Sequence, residues 1–163
     1  MMKQLLWMVA TCVVLLLTSC QPNTVYEHYI TTNPTAWSMQ DSATFTVNMQ
    51  DTTGHYNVLL QIHHTSAYPY QNLWLFTHSV APDSTVASDT LNCFLADNAG
   101  RWLGQASLST YEMPLLYMQN IRFPHPGTYT FSITHGMRDS LLVGISHIGL
   151  TIEPISIPHY VEE

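Results

Sequence analysis

Three stretches of this chain alternate apolar and polar residues with a period of two. They are Thr44-Phe45-Thr46-Val47-Asn48-Met49, Tyr56–Thr65 and residues 128–134 (Thr-Tyr-Thr-Phe-Ser-Ile-Thr). Successive side chains on a strand point to opposite faces, so this alternation demands one buried face and one wet face. Phe45, Val47 and Met49 fall on one side, as do Tyr56, Val58, Leu60 and Ile62. No window sustains a period of 3.6 between capping residues. A chain patterned this way must pair its strands and close two apolar faces on each other.

Turn chemistry divides the remainder into strands. Residues 25–30 form a first strand, broken by Asn33-Pro34, and residues 51–54 turn. Asn72–Val80 (NLWLFTHSV) is strongly apolar and reads as a central strand with Trp74 in the core. Residues 86–96 place Leu91, Cys93 and Leu95 on one face, before a turn over residues 97–100. Residues 101–108 read as a short strand, Met113-Pro114 as an interruption, and residues 116–123 as a strand stopped by Pro124-His125-Pro126-Gly127. Residues 142–152 close the domain, and Pro154 and Pro158 loosen the tail. Residues 137–141 offer one helical turn at most. Eight or nine short strands with turns between them predict an all-β, antiparallel β-sandwich, jelly-roll-like or Ig-like.

The N-terminus carries a separate signal. Lys3 precedes an apolar run over residues 5–17, broken only by Thr11. Thirteen residues are too few for a spanning helix, which needs about 20. The layout is that of a removable signal peptide. It ends in Leu17-Thr18-Ser19-Cys20, which resembles a bacterial lipobox. That resemblance implies loss of residues 1–19, acylation of Cys20, a short tether over residues 20–24 and one domain from residue 25 to 163. Each buried CH2 contributes about 0.8 kcal/mol, and two or more chains hold a protein stably. Removal of Lys3 with the leader leaves three basic against 11 acidic side chains, a formal charge of −8. Such an acidic surface argues against nucleic acid as a partner.

Four pieces of the strand text carry a wider resemblance. They are Tyr68-Pro69-Tyr70 with Asn72-Leu73-Trp74-Leu75; Asp89-Thr90-Leu91 with Leu95-Ala96-Asp97 and Gly100-Arg101-Trp102-Leu103-Gly104; Gly127-Thr128-Tyr129-Thr130-Phe131 with His135-Gly136-Met137-Arg138; and Leu142-Val143-Gly144-Ile145 with Ile148-Gly149-Leu150-Thr151-Ile152. In this order, behind a lipobox and with Trp37 upstream, the chain resembles the gliding motility lipoprotein family GldH of Bacteroidetes. The resemblance implies a lipid-anchored envelope component linked to surface movement and to type IX secretion, with proteins of that machinery as partners. It transfers no catalytic residue.

The residues themselves supply little chemistry. Nine histidines are scattered, and adjacent His63 and His64 point to opposite faces of a strand, so no metal or other cofactor is expected. Cys93 stands alone once Cys12 and Cys20 are accounted for, and reads as a small buried hydrophobe. No GxSxG elbow or HExxH pattern occurs, so no catalytic residue is assigned and the protein reads as non-enzymatic. Arg101, Arg122 and Arg138, the only basic residues after the leader, are expected to pair with acids or carbonyls, with Arg138 beside Asp139 pinning a corner. Trp37, Tyr68, Tyr70, Trp102 and Arg138 are the candidate contacts for a partner protein or a glycan. For the tryptophans the competing reading is packing, with the indole N–H bonded to backbone. Two functions therefore stand: an assembly component acting through protein contact, and a lipid-anchored glycan- or peptidoglycan-binding module. The lipid is expected in the outer membrane, facing the periplasm, because residues 21–26 lack an acidic cluster.

Overall fold

A computed structural model of the protein describes residues 24–155. The leader, Cys20 and the tail after Ile155 lie outside those residues. Eleven strands run in chain order: β1 (Tyr26–Thr31), β2 (Trp37–Ser38), β3 (Ala43–Met49), β4 (Tyr56–Thr65), β5 (Asn72–Val80), β6 (Val86–Phe94), β7 (Gln105–Ser107), β8 (Thr110–Ile121), β9 (Gly127–His135), β10 (Leu141–Leu142) and β11 (Ile145–Pro154). There is no helix among the described residues. One sheet has the order β1-β11-β4-β8-β7, the other β3-β9-β5-β6, and β10 pairs with β2 at one end. Every pairing is antiparallel. The all-β sandwich follows the alternation, with two or three more strands than the sequence suggests.

The period-two pattern is what fills the space between the sheets. Phe45, Val47 and Met49 of β3 face Val58, Leu60 and Ile62 of β4, with Leu73 and Leu75 of β5, Phe131 and Ile133 of β9, and Ile148, Leu150 and Ile152 of β11. All are buried, as is the thiol of Cys93, whose ionisation burial pushes up to about 12. An unreactive thiol follows.

Three local expectations need correction. Met113-Pro114 does not interrupt a strand, since β8 runs from Thr110 to Ile121 and pairs Pro114 with Gln61. β7 covers β8 only from Thr110 to Glu112, so Pro114 lies on a free edge, where a missing N–H breaks no ladder. The strand expected over residues 101–108 shrinks to the three residues of β7. Trp74 is not core: it is 39 % exposed, because Leu73 and Leu75 take the inner face of β5.

The sandwich has two distinct poles. At one, Val25 N–H donates to the Ile152 carbonyl (2.8 Å), and Ile155 N–H donates to that of His55 (2.8 Å). Phe123 joins Tyr56 and Tyr129 there, with ring centroids at 5.6 and 4.9 Å. The chain enters and leaves the described fold at this pole. At the other lie the β4–β5 connection, β2 with β10, and the loop after β9. Gly144 locks that end. It adopts φ +92°, and a Cβ there would stand 2.4 Å from the backbone nitrogen of Tyr68.

Candidate binding groove

The outer face of the four-stranded sheet is paved with hydroxyls from Thr44, Thr46, Thr128, Thr130, Ser132 and Thr134. On β5 this pattern changes. Trp74 and Phe76, two residues apart on one strand, project from the same face, 39 % and 49 % exposed. They form the floor of a groove of about 500 Å³ bounded by Tyr70, Thr90 and the loop from Gly136 to Asp139.

The loop after β9 is fitted to this floor. Gly136 N–H donates to the Trp74 carbonyl (2.7 Å), and Trp74 N–H approaches the Met137 sulfur at 3.3 Å. A Cβ on Gly136 would stand 2.8 Å from the Phe76 ring, so glycine is what lets the ring lie against the loop. Tyr70 donates its hydroxyl to the Asp139 carboxylate, and that bond, with a smaller effect of burial, holds its phenol above the ordinary tyrosine value. The Asn72 amide donates to Asn92 on β6 (2.6 Å).

Arg138 is exposed and pairs with no described residue, whereas Arg101 pairs with Asp97 (2.8 Å) and Arg122 donates to His55 Nε2 (3.1 Å). The expected pinning of a corner by Arg138 and Asp139 is replaced by the Tyr70–Asp139 bond. The groove thus combines two aromatic faces, the Arg138 guanidinium without a described partner, the Asp139 carboxylate, the hydroxyls of Tyr70 and Thr90, and the Asn72 amide. It can stack a ring or an apolar group and hold an anion beside it.

The residues singled out from sequence separate in space. Tyr70 and Arg138 come together in the groove. Tyr68, 2 % exposed, caps the core and donates to the Asn72 carbonyl (2.7 Å). Trp37, also 2 % exposed, donates its indole N–H to the Asp41 carbonyl (3.0 Å) and packs on His135 at 5.0 Å. Neither offers a surface to a partner. Trp102 is half-buried in an aromatic cluster, 4.5 Å from buried His64, which stacks on Tyr111 at 5.3 Å. Cys20 lies outside the described residues. Trp74 and Phe76 were not among the candidates. Their signal was parity: Asn72 and His78, both polar, share their face of β5, while the other face carries Leu73 and Leu75.

Among the described residues no three His, Cys, Asp or Glu side chains form a possible metal-ion site. Fold and groove define a small all-β sandwich that presents an aromatic groove at the pole opposite Val25 and Ile155. The sequence model of the GldH lipoprotein family matches residues 24–152, and the chain belongs to that family. A gliding motility lipoprotein GldH homolog of Christiangramia forsetii is 31 % identical over 147 residues, covering 86 % of this chain and 90 % of the relative. The gliding motility lipoprotein GldH of Flavobacterium johnsoniae is 28 % identical over 146 residues, covering 85 % and 90 %. Among solved structures, the VP2 subviral particle of infectious bursal disease virus is similar with a TM-score of 0.35 and 15 % identity. The match covers 84 % of this chain and only 32 % of that one.

Proposed function

We propose that this protein is a non-enzymatic component of the gliding machinery and of the type IX secretion linked to it, held in the outer membrane by acyl chains on Cys20 and facing the periplasm. It works through contact with other envelope proteins. The observation that supports a contact role is the polarity of the domain. The chain enters the fold at Val25, beside Ile152, while Trp74 and Arg138 lie at the other end of the sandwich. Ten residues of β11 at about 3.3 Å each make that sandwich roughly 30 Å tall. Residues 20–25 reach at most about 20 Å, so an upright domain carries its groove away from the anchoring bilayer. Membrane confinement then raises the local concentration of the groove for partners in the same envelope.

A second reading, a lipid-anchored glycan-binding module, draws on the exposed Trp74 and Phe76 in one groove. One set of strains tests the first reading. Labelled fatty acid should enter the wild type and not Cys20→Ala, and equal labelling would end the anchor assignment. Deletion should impair movement or secretion, and the soluble Cys20→Ala form should restore it poorly. Full restoration by that form would remove the role given to confinement.

A further inference from the structure

We infer that the groove over Trp74 and Phe76 binds a saccharide bearing a carboxylate, its sugar face on the two rings and its acid on Arg138. This rests on the glycan-binding reading and names its ligand class.

The strongest reason lies in the floor of the groove. β5 is an interior strand, paired with β6 along its whole length and with β9 from Leu75 to Val80. Short of Leu75, the Trp74 carbonyl is taken by Gly136 and its N–H faces the Met137 sulfur, while the Asn72 carbonyl is taken by the Tyr68 hydroxyl. A peptide laid on this floor would find no free strand edge on β5 to pair with. A pyranose needs none. Its C–H face sits on an aromatic ring, and its hydroxyls point to the rim. The rim supplies matching groups, the Asn72 amide, the Thr90 hydroxyl and the Asp139 carboxylate. About 500 Å³ lies within the usual size of a small-ligand site.

Charge selects within the sugars. The chain after its leader is strongly acidic, yet one of its three arginines stands in this groove without a described partner. A guanidinium grips a planar carboxylate through two parallel N–H bonds. Asp139, already accepting from Tyr70, remains as an acceptor for sugar hydroxyls. Uronic acids carry the required acid, as does the lactyl group of muramic acid where no stem peptide is attached to it.

The test is calorimetric titration of the mature lipidated protein in detergent micelles. The probes are an oligogalacturonate, a peptide-free cell-wall glycan fragment containing muramic acid, and a neutral cello-oligosaccharide of matched length. At least one acidic probe should bind, about fivefold or more tighter than the neutral one. Galacturonate alone would point to an acidic polysaccharide, the muramic fragment alone to cell-wall glycan. Trp74→Ala should weaken binding by about tenfold, the order expected for one aromatic-face contact. Arg138→Gln should bring the acidic probe down to the neutral one and abolish the salt dependence seen in the wild type. Phe76→Ala serves if Trp74→Ala does not fold, as judged by circular dichroism. Absence of saturable binding by both acidic probes, equal affinity for acidic and neutral chains, or affinity untouched by folded groove variants would overturn the inference. So would an acidic peptide that binds the groove when neither sugar does. Loss of movement on deletion, with no sugar bound, would leave the protein-contact reading standing and end this one.

Discussion

Acid should unfold this protein earlier than its carboxylates alone would dictate, and two buried imidazoles are the reason. His64 and His135 are 0 % and 1 % exposed. Each holds one ring nitrogen near a backbone carbonyl, His64 Nδ1 at 3.2 Å from Thr65 and His135 Nε2 at 3.0 Å from Trp37. The opposite nitrogen of each has no hydrogen-bond partner. A second proton would place a charge and an unaccepted N–H among aromatic rings. Burial therefore holds both below the ordinary histidine value, against a smaller upward pull from those carbonyls and, for His135, from Asp139. The unfolded chain keeps histidines near 6.5 and so binds protons that the fold refuses. Stability is fully present above about pH 6.5 and is lost as pH falls from there towards the folded values. Each histidine contributes a slope of at most about 1.4 kcal/mol per pH unit, so the pair gives up to about 2.7. Half-buried His63 is also held low, by burial and by His147, with Glu112 opposing. Asp51, Asp83 and Asp97 are held low by hydrogen bonds, but their unfolded counterparts titrate near pH 4, well below this window. Urea unfolding at pH 7.5, 6.5 and 5.5 would show the loss. His64→Phe, which keeps a ring against Tyr111, should reduce the slope by roughly a third to a half, since His63 and His135 remain. An unchanged midpoint across these three pH values, or a variant with the wild-type slope, would refute the argument.

Two further substitutions probe the frame. Phe131→Ala removes a ring that is 4 % exposed, on the inner face of β9 opposite Phe45, and should cost about 3–5 kcal/mol in urea unfolding; under 1 kcal/mol would mean that the site is not closely packed. Gly144→Ala forces a side chain into φ +92° and against the Tyr68 backbone, so it should destabilise by at least about 2 kcal/mol, with a wild-type midpoint excluding the close approach.

The architecture was legible wherever one face is buried and the other wet. β3, β4 and β9 read directly from alternation because each has that asymmetry. β8 does not read from sequence, because Pro114 signals a break and only pairing shows that its edge is free. β5 reads only in part, because both of its faces carry large apolar residues. A run of Leu-Trp-Leu-Phe cannot say which pair is inward until its flanking polar residues are weighed. Trp37 and Tyr68, candidates by residue type, went to the core since each found a backbone carbonyl for its polar atom. Arg138 entered the groove through the turn after β9, whose path no local pattern encodes.

The exposed aromatics ask for a cause beyond folding. Around them, β3 and β9 turn threonines and serines to solvent, which pleated strands carry at little cost. Threonine in place of Trp74 or Phe76 would leave the inner faces of β5 untouched, because Leu73, Leu75 and Thr77 alone meet the core from that strand's apolar half. Isolated apolar residues on a surface need no explanation, but here two rings adjoin on one strand, with a glycine seated against one and a methionine sulfur against the backbone of the other. The loop that supplies both also carries Arg138, which pairs with no described residue. Packing accounts for Met137, which lies against the core, and for Gly136, which lies against the Phe76 ring, but not for the exposed Trp74, Phe76 and Arg138. A ligand with an apolar face and an acid accounts for them together, and it is at this pole of the domain, away from the chain's entry at Val25, that such a ligand would be met.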